Sequence, residues 1–243
     1  MSRLTGKVAL VTGGTRGIGA GIGRAFVAEG ARVAFSGTSA ASIEKAKLDG
    51  ATGFVSDLTD PQAPAALIAA VVKRFGGIDV LVNNAGVGSR ASEWELTPEE
   101  WDRVHAVNLR AVFFLARDAA KSMRERGSGS ILNMASIAGQ NGGIAGSPAY
   151  ASSKGAVITL TRSLARRFAP QRIRVNCLSP ADIETDMTAG WPQELRERLI
   201  AITPLARFGV VDEVTGAALF FASDESSYVT GQTLSVNGGA YMS

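Results

Sequence analysis

The chain has 243 residues, of which 46% are hydrophobic, 28 are glycine and one is cysteine, and its formal net charge at pH 7 is +3. This length suits one α/β domain with a large core, the small charge without a basic run excludes an electrostatic nucleic-acid binder, and the lone Cys177 excludes an internal disulfide. No stretch approaches the roughly 20 apolar residues of a membrane span, and the N-terminus leads into a strand without a signal-peptide pattern, so we expect a cytoplasmic protein with no membrane or nucleic-acid partner.

Short apolar runs alternate along the chain with longer amphipathic segments. The runs are rich in Val, Ile and Leu and apolar on both faces, which predicts strands buried between two layers. They cover residues 7–12, 32–36, 53–56, 79–84, 130–136, 174–179 and 233–238. The helical patterns cover residues 17–29, about 40–48, 61–75, about 98–126, 149–169 and 212–223, and Asp60 and Thr97 precede Pro61 and Pro98 as N-caps. The alternation predicts a single domain, residues 1–243, built on a doubly wound, Rossmann-like sheet of about seven parallel strands with helices on both faces.

The first predicted strand runs into the glycine-rich stretch TGGTRGIG, residues 12–19. A strand, a glycine turn and a helix start form a cradle for a pyrophosphate, because glycine lets the backbone approach and the helix N-terminus offers free N–H groups. Gly13, Gly17 and Gly19 have the spacing G-x-x-x-G-x-G, which differs from the standard fingerprint G-x-G-x-x-G. Its position after the first strand favours a dinucleotide site over a plain tight turn.

The second predicted strand ends in SGTSAAS, residues 36–42. A protein that prefers NAD has a carboxylate near this point to hold the ribose 2′-hydroxyl. Gly37, Thr38 and Ser39 stand there instead, so no acid would repel a 2′-phosphate. Arg16 in the glycine turn could pair with that phosphate through its fork of donors, or it could be a solvated loop residue. Both observations favour NADP(H) over NAD(H).

The third and fourth predicted strands end in residues that suit an adenosine. Asp57 could accept a hydrogen bond from the adenine amino group, with Leu58 against the ring, and it could equally cap the next turn. The fourth strand ends in NNAG, residues 83–86, whose asparagines can hold the turn through side-chain bonds. Ala85 and Gly86 have almost no side chain to obstruct a ribose.

The fifth predicted strand ends at Ser136, and the stretch YASSK, residues 150–154, follows. Tyr150 and Lys154 share a helix face one turn apart, which by itself is a common arrangement. Hydride delivered to a carbonyl carbon leaves an alkoxide that must be protonated, and a nearby ammonium favours the phenolate form of a tyrosine. Beside a dinucleotide site the pair therefore predicts proton transfer. Thr185, in the loop after the sixth strand, could bond the carboxamide of a nicotinamide.

The order of these motifs carries a family resemblance. The motifs are TGGTRGIG, DL at 57–58, NNAG at 83–86, Asn108, Ser136, YASSK and the Pro180 segment. In this order they resemble the short-chain dehydrogenase/reductase family over roughly residues 5–243. Within the family the chain is most similar to the 3-oxoacyl-[acyl-carrier-protein] reductases, because of IETDMT (183–188), PLARFG (204–209), the stretch 220–239 and the missing acid after the second strand.

The resemblance implies a role for each of four residues. Tyr150 corresponds to the general acid/base, and Lys154 to the residue that bonds the nicotinamide ribose and lowers the pKa of the tyrosine. Ser136 corresponds to the group that orients the substrate carbonyl. Asn108, inside the long helix, corresponds to the residue that holds a proton-relay water beside Lys154.

The expected cofactor site draws on the same strand ends. Its residues are Gly13, Thr15, Arg16, Gly17, Ile18, Gly19, Gly37, Thr38, Asp57, Leu58, Asn84, Ala85, Gly86, Tyr150, Lys154, Pro180, Ile183 and Thr185. No group of His, Cys and carboxylates has metal-ligand spacing, so we expect no metal. His105 and Cys177 are expected to be packing residues. Trp191 could pack in the same way or belong to a mobile lid over residues 187–202.

The resemblance implies an NADPH-dependent reductase of a carbonyl compound. The best single substrate is a 3-oxoacyl thioester on acyl carrier protein, as in fatty acid biosynthesis. A dehydrogenase of another secondary alcohol (a sugar, steroid or small alcohol) and a non-catalytic dinucleotide-binding protein are the alternatives. The C-terminal strand and the helices at about 98–126 and 149–169 resemble the contact faces of the family's homotetramers.

Two positions depart from the family pattern. Ala181 replaces the glycine that normally follows the proline, and alanine tolerates positive φ poorly, so we expect a different loop path. Ser130 replaces a basic residue that many carrier-protein reductases have before the fifth strand. Arg124, Arg126 and Arg172 could compensate in docking an acidic carrier.

Overall fold

Seven parallel strands form one sheet in the computed structural model, which describes residues 2–89, 91–144 and 146–242. The strands are β1 (Val8–Val11), β2 (Arg32–Gly37), β3 (Ala51–Val55), β4 (Val80–Asn83), β5 (Gly129–Met134), β6 (Ile173–Pro180) and β7 (Thr233–Val236). Their order across the sheet is β3-β2-β1-β4-β5-β6-β7, and each paired strand runs parallel to its neighbour. The predicted doubly wound parallel sheet is confirmed.

Helices cover both faces of this sheet. The α-helices of the described chain are α1 (Gly17–Ala28), α2 (Ala40–Lys45), α3 (Ala63–Phe75), α4 (Pro98–His105), α5 (Ala111–Arg126), α6 (Ala138–Asn141), α7 (Pro148–Phe168), α8 (Asp186–Ala189), α9 (Gln193–Ala201) and α10 (Val211–Ala222). A π-helical turn, Ala106–Arg110, joins α4 to α5, and short 3₁₀ turns occupy Ala169–Gln171 and Asp224–Ser226. None of the described helices combines the length and apolar character needed to cross a bilayer.

The strands divide their side chains between two core layers. In β1, Leu10 packs with residues of α3, α5 and α7, whereas Ala9 and Val11 pack with residues of α1 and α10. All four residues of β1 are buried, as are all four of β4. Burial on both faces explains the continuous apolar runs, because neither face of these strands meets water.

Several helix boundaries differ from the prediction. The helix predicted over 61–75 begins at Ala63, because the Asp60 carboxylate accepts from Gln62 N at 2.8 Å in a turn that precedes the helix. Thr97 is the predicted N-cap, accepting from Glu100 N at 3.3 Å. The segment predicted as one helix over 98–126 is interrupted by the π-helical turn.

The sheet reverses its winding between β1 and β4. From β1 the chain builds β2 and β3 on one side, and β4 to β7 on the other. The crevice at the carboxyl ends of strands at such a point is the usual ligand site of doubly wound sheets. The residues after β1 and β4 therefore face the same opening, and the ends of β5 and β6 continue it.

Candidate active site

The glycine turn after β1 is shaped for a close approach of backbone to ligand. Gly13 and Gly17 have φ of +63° and +53°, a region that side chains with a Cβ rarely adopt. A Cβ at Gly19 would collide with the Gly13 carbonyl and the Asn84 amide. The turn leads directly into α1, whose first N–H groups are free. These residues fit the pyrophosphate of a dinucleotide.

Asn84 ties the end of β4 to this turn. Its Nδ2 donates to the carbonyls of Thr12 and Gly13, at 2.9 and 3.1 Å. In return the Thr12 hydroxyl accepts from the backbone N–H of Asn84 and of Ala85, both at 3.1 Å. Thr12 was not among the predicted site residues, although its position as the polar residue closing an apolar strand is a usable signal. Asn83 does not hold the turn, because its Nδ2 donates to Asn133 at 2.9 Å.

The end of β2 carries no acid, as predicted. A Cβ at Gly37 would meet the Thr15 side chain, so the glycine turn lies against the end of β2. Thr38 is exposed, and Ser39 caps α2 by accepting from Ser42 N at 3.2 Å. The Arg16 side chain is 76% exposed, and its guanidinium lies 4.0 Å from the Asp186 carboxylate. A surface pair at this distance is weak, which leaves Arg16 available to a phosphate.

The residues after β3 divide between the surface and the core. Asp57 is exposed, and its Oδ1 accepts from Thr59 N and Thr59 Oγ1 at 3.0 and 2.8 Å. These hydrogen bonds lower the pKa of Asp57 and show that it caps the turn. The compatible role toward an adenine amino group stays a prediction. The Leu58 side chain is buried in the core layer of α3 and α5 rather than turned toward the opening.

Tyr150 lies in the first turn of α7, half-buried at the mouth of the opening. The Ser147 hydroxyl caps this helix, accepting from Tyr150 N at 3.4 Å. Burial raises the pKa of Tyr150, a hydrogen bond with the Ser136 side chain opposes that shift, and the charge of Asp182 adds to it. The Ser136 side chain therefore acts on the Tyr150 phenol, and its Oγ also accepts from Ala138 N at 3.2 Å. Asp182 was not predicted to belong to the site.

Lys154 lies one turn further along α7, on the same face. It is 4% exposed, and its Nζ donates to the carbonyl of Met134, at the end of β5, at 2.8 Å. The Nζ atom lies 5.8 Å from the centre of the Tyr150 ring. Burial lowers the pKa of Lys154 to about 8. The net direction of the Tyr150 pKa is upward, with burial as its largest cause, and Lys154 is not among the groups that shift it.

The π-helical turn directs Asn108 into the same site. Asn108 is fully buried; its Oδ1 accepts from Val87 N at 2.9 Å, and its Nδ2 donates to Val87 O at 3.0 Å and Ser153 Oγ at 3.1 Å. A Cβ at Gly86 would lie 3.3 Å from Lys154 Nζ and 3.4 Å from Asn108 Oδ1. Asn108, Lys154 and the Gly86 backbone therefore converge. Ser153 is a further member of this network that sequence reasoning missed, although it lies within YASSK.

The loop after β6 closes the opening on the far side. The Ala181 backbone N–H donates to Val236 O at 3.1 Å, and the described non-glycine residues with positive φ are Lys47, Arg172 and Ala206. Ala181 thus follows β6 without the left-handed conformation that would penalise alanine. Within this loop the Ile183 side chain is 5% exposed. A Cβ at Gly17 would lie 3.5 Å from Thr185 Cγ2, so the loop reaches the glycine turn.

The remaining singled-out residues have packing roles. Cys177 is fully buried, and burial raises its pKa to about 11. The His105 ring stacks on Trp101 with centroids 4.3 Å apart and contacts Ser152 Oγ at 3.3 Å. Trp191 packs edge-on against Phe208. The described residues contain no group of three or more His, Cys, Asp or Glu side chains suited to a metal.

Comparisons with known proteins agree with this geometry. A family model described as enoyl-(acyl carrier protein) reductase matches residues 13–241. The 3-oxoacyl-[acyl-carrier-protein] reductase of Vibrio cholerae is 39% identical over 242 residues, covering 98% of this chain and 99% of that protein. A 3alpha-hydroxysteroid dehydrogenase of Mediterraneibacter gnavus is 41% identical over 251 residues, covering 98% of each. The crystal structure of a 3-oxoacyl-[acyl-carrier protein] reductase from Brucella melitensis has a TM-score of 0.94 at 36% identity, covering 100% of this chain and 94% of that one.

Proposed function

Because this chain belongs to the short-chain dehydrogenase/reductase family of NAD(P)-dependent oxidoreductases, we propose that it reduces a carbonyl compound to an alcohol with NADPH. The substrate we propose is a 3-oxoacyl thioester carried by acyl carrier protein, because two of the similar proteins are named for that reaction. We also propose a cytoplasmic homotetramer, with the whole chain forming one nucleotide-binding domain.

The observation that carries the proposal is the convergence of Lys154 and Asn108 on the Gly86 backbone, next to Tyr150. Lys154 Nζ lies 5.8 Å from the Tyr150 ring, and Asn108 Oδ1 and Lys154 Nζ would both contact a Cβ at Gly86. Ser136 acts on the pKa of Tyr150 from the end of the neighbouring strand. The same opening begins at a glycine turn that fits a pyrophosphate. A helix start with only a structural role would not require a buried lysine beside this opening, because lysine is rarely buried without a function.

Each residue then has a chemical task. Bound NADPH would supply the hydride. The Ser136 hydroxyl would donate a hydrogen bond to the substrate carbonyl oxygen, and Tyr150 would transfer its phenolic proton to that oxygen. The raised pKa of Tyr150 keeps the phenol protonated at neutral pH, the form that reduction requires. Lys154 would bond the nicotinamide ribose. Asn108 would hold the water through which the phenol regains its proton.

NADPH is the proposed cofactor because no acid stands at the end of β2. Thr15 lies against Gly37, so the neighbouring Arg16 projects from the turn that borders the ribose position. The residues we propose for the cofactor are those of the glycine turn, the ends of β2 to β4, Tyr150, Lys154, and the loop from Pro180 to Thr185. Leu58 would contribute through its backbone, because its side chain is buried.

Docking of an acidic carrier rests on fewer groups than the sequence suggested. Arg126 pairs with Asp79 at 2.7 Å, so part of its charge is already neutralised. Ser130 is buried and donates to Phe221 O at 2.7 Å, which leaves it no access to a partner. Arg124 and Arg172 remain as the basic residues we propose for carrier contact.

A second candidate is oxidation or reduction at a ring alcohol such as that of a steroid. It is favoured by the 41% identity to a 3alpha-hydroxysteroid dehydrogenase, which is as high as the identity to the carrier-protein reductase. A non-catalytic nucleotide-binding protein is disfavoured, because it would not need the buried pairing of Asn108 with the site.

The test of the proposed function is the Tyr150→Phe variant. We expect kcat for a 3-oxoacyl thioester to fall by roughly 10³-fold, since general acid–base catalysis contributes about 10²–10⁴-fold, while the Kd for NADPH, followed by its fluorescence, stays within about twofold. Tyr228→Phe is the matched control, because Tyr228 is fully exposed.

Three outcomes separate the candidates. Turnover of the thioester by the wild type and its loss in Tyr150→Phe support the proposal. Turnover of a 3-oxosteroid but not of the thioester transfers support to the ring-alcohol candidate. NADPH binding without reduction of either compound would exclude both of these substrates and leave a sugar or small-alcohol dehydrogenase or the non-catalytic protein.

A further inference from the structure

The guanidinium of Arg196, on α9, binds both ends of the turn that contains Thr185. Its Nη2 lies 2.6 Å from Glu184 Oε1, and its Nη1 donates to the Thr188 carbonyl at 3.3 Å. Glu184 comes directly before Thr185, and Thr188 follows it by three residues. The guanidinium carbon also lies 4.5 Å from the centre of the Phe208 ring. Arg196 therefore joins α9 to the loop after β6 through three separate contacts.

Within this turn the position of Thr185 depends on Thr188. Thr185 N donates to Thr188 Oγ1 at 3.0 Å, and the Thr188 hydroxyl donates to the Ile183 carbonyl at 2.8 Å. The helix that follows, α8, has four residues. A helix of this length is not stable by itself. The hydrogen bond from Arg196 to the Thr188 carbonyl therefore helps to fix the whole turn.

The Arg196 side chain is held more firmly than a surface arginine. It is 21% exposed, and the Phe208 side chain beneath it is 5% exposed. A planar guanidinium that stacks on a ring and binds a carboxylate is pre-organised, and lysine does not reproduce this geometry. Arg198, two residues further along α9, is exposed and forms no ion pair in the part of the chain that the structure describes.

The turn held by Arg196 lies against one end of the proposed cofactor site. A Cβ at Gly17 would lie 3.5 Å from Thr185 Cγ2, so Thr185 borders the glycine turn. The ends of β2 and β3, proposed for the adenosine, lie on the other side of β1, whereas β6 is three strands away from it. The two ends of a bound dinucleotide would therefore depend on different elements.

We propose that Arg196 is a positioning residue that holds Thr185 in place for the nicotinamide end of NADPH. This inference rests on the proposed function, in which Thr185 bonds the nicotinamide carboxamide. Arg196 acts through the turn and not by contact with the cofactor. A turn that is already fixed does not have to be ordered when the ligand binds, and this raises the affinity for the part of the ligand that the turn receives.

A comparison of NADPH with adenosine 2′,5′-bisphosphate tests this inference. The bisphosphate keeps the adenosine and the 2′-phosphate but lacks the nicotinamide. In Arg196→Met we expect the calorimetric Kd for NADPH to rise by about three- to tenfold, the effect of ordering one or two side chains on binding. The Kd for the bisphosphate should stay within about twofold. Arg196→Lys, which can still pair with Glu184, should recover part of the NADPH affinity.

A second variant tests the same contact from its exposed side. The Glu184 side chain is 47% exposed. Glu184→Gln should raise the Kd for NADPH alone, by about two- to threefold, because it removes the charge from one ion pair. This variant also provides the test if Arg196→Met does not fold. Arg198→Met is the control on the same helix and should bind both ligands as the wild type does.

The outcomes separate this inference from the proposed function. A rise in Kd that is equal for the two ligands would indicate a general disturbance of the fold, and an unchanged Kd for NADPH in both Arg196→Met and Glu184→Gln would show that the contact does not reach the cofactor. Either result overturns the inference while the wild type still binds both ligands. A wild type that binds neither ligand would overturn the proposed function, and the inference with it.

Discussion

A buried lysine and a half-buried tyrosine lie one helical turn apart, and burial shifts their pKa values in opposite directions. It lowers the pKa of Lys154 to about 8 and raises that of Tyr150, because a low-dielectric site disfavours both charged forms. The Met134 carbonyl offers Lys154 a hydrogen bond but no counter-charge. At neutral pH the pair therefore consists of a protonated phenol and an ammonium that loses its proton more readily than that of an ordinary lysine.

Lys154 should leave a signature in the pH dependence of stability. Its folded-state pKa of about 8 lies below its ordinary value of 10.5, so within this window the unfolded chain keeps a proton that the folded chain has released. The contribution of Lys154 to the free energy of unfolding therefore rises with pH between about 8 and 10. Urea unfolding of wild type and Lys154→Met at several pH values measures this, and the wild type should gain relative to the variant. A difference that stays constant or falls would contradict the burial argument.

Arg16 is the residue on which the cofactor preference depends. We expect the wild type to bind NADPH at least tenfold more tightly than NADH, because a charge-assisted pair with the 2′-phosphate contributes about 1.5–3 kcal/mol. Arg16→Ala should remove about tenfold from the NADPH affinity and leave the NADH affinity within about twofold. Arg24→Ala, an exposed change on the same helix, is the control. Calorimetric Kd values that favour NADH in the wild type would make the interpretation of Gly37 and Arg16 wrong.

At the scale of elements, the π-helical turn is what brings Asn108 to the site. A π-helical turn inserts a residue into an α-helix, and such insertions are frequent at functional sites. Here it places the Asn108 amide within hydrogen-bond distance of both the N–H and the C=O of Val87. These two hydrogen bonds attach the loop after β4 to the helix. The carboxamide provides an acceptor and two donors, which matches the three hydrogen bonds observed.

Removing these Asn108 hydrogen bonds should lower the stability of the fold as well as the activity. In Asn108→Ala the N–H and C=O of Val87 and the hydroxyl of Ser153 all lose a partner, and buried groups left unpaired cost about 1–3 kcal/mol each. We expect a loss of about 2–3 kcal/mol in the free energy of unfolding and a fall in kcat of more than tenfold. Arg110→Ala, which removes only a surface hydrogen bond to Thr59 O, serves as the control in the same turn. A variant within about 0.5 kcal/mol of wild type would show that Asn108 does not brace the loop.

Most elements and strand ends could be predicted because strands buried on both faces leave unmistakable apolar runs. The glycine turn, Ser136, Tyr150 and Lys154 follow from their positions after those runs. The π-helical turn could not be predicted, since an inserted residue leaves the composition of a helix unchanged. The direction of the Tyr150 pKa depends on packing around the ring, which a sequence motif does not specify.

For the molecule as a whole, several apolar side chains remain exposed, and two pairs of them lie on the elements that resemble the contact faces of a tetramer. Trp101 and Phe113, on α4 and α5, are 39% and 36% exposed, and Leu234 and Met242, near β7, are 40% and 78% exposed. Two such faces are what a tetramer of two-fold dimers would cover. The proposed homotetramer is therefore compatible with the exposed surface of one chain.

The assembly can be tested on one of these faces at a time. Phe113→Lys should place a charge in the face formed by α4 and α5 and reduce the tetramer to dimers, as measured by light scattering. Val55→Lys is a matched control, because Val55 is also exposed but lies on β3, at the opposite edge of the sheet from β7. A wild type that is monomeric, or a Phe113→Lys variant that stays tetrameric, would contradict this assignment of faces.

In the π-helical turn Ala106–Arg110, a change in the number of residues should be more damaging than a substitution of one residue by another. Deleting one residue there would restore a regular α-helix and leave α4 and α5 nearly in phase, because the wider turn already absorbs the extra residue. It would also remove the local widening that directs Asn108 to Val87. Relatives and designed variants should therefore accept exchanges at the outward positions of this stretch far more readily than a single-codon deletion.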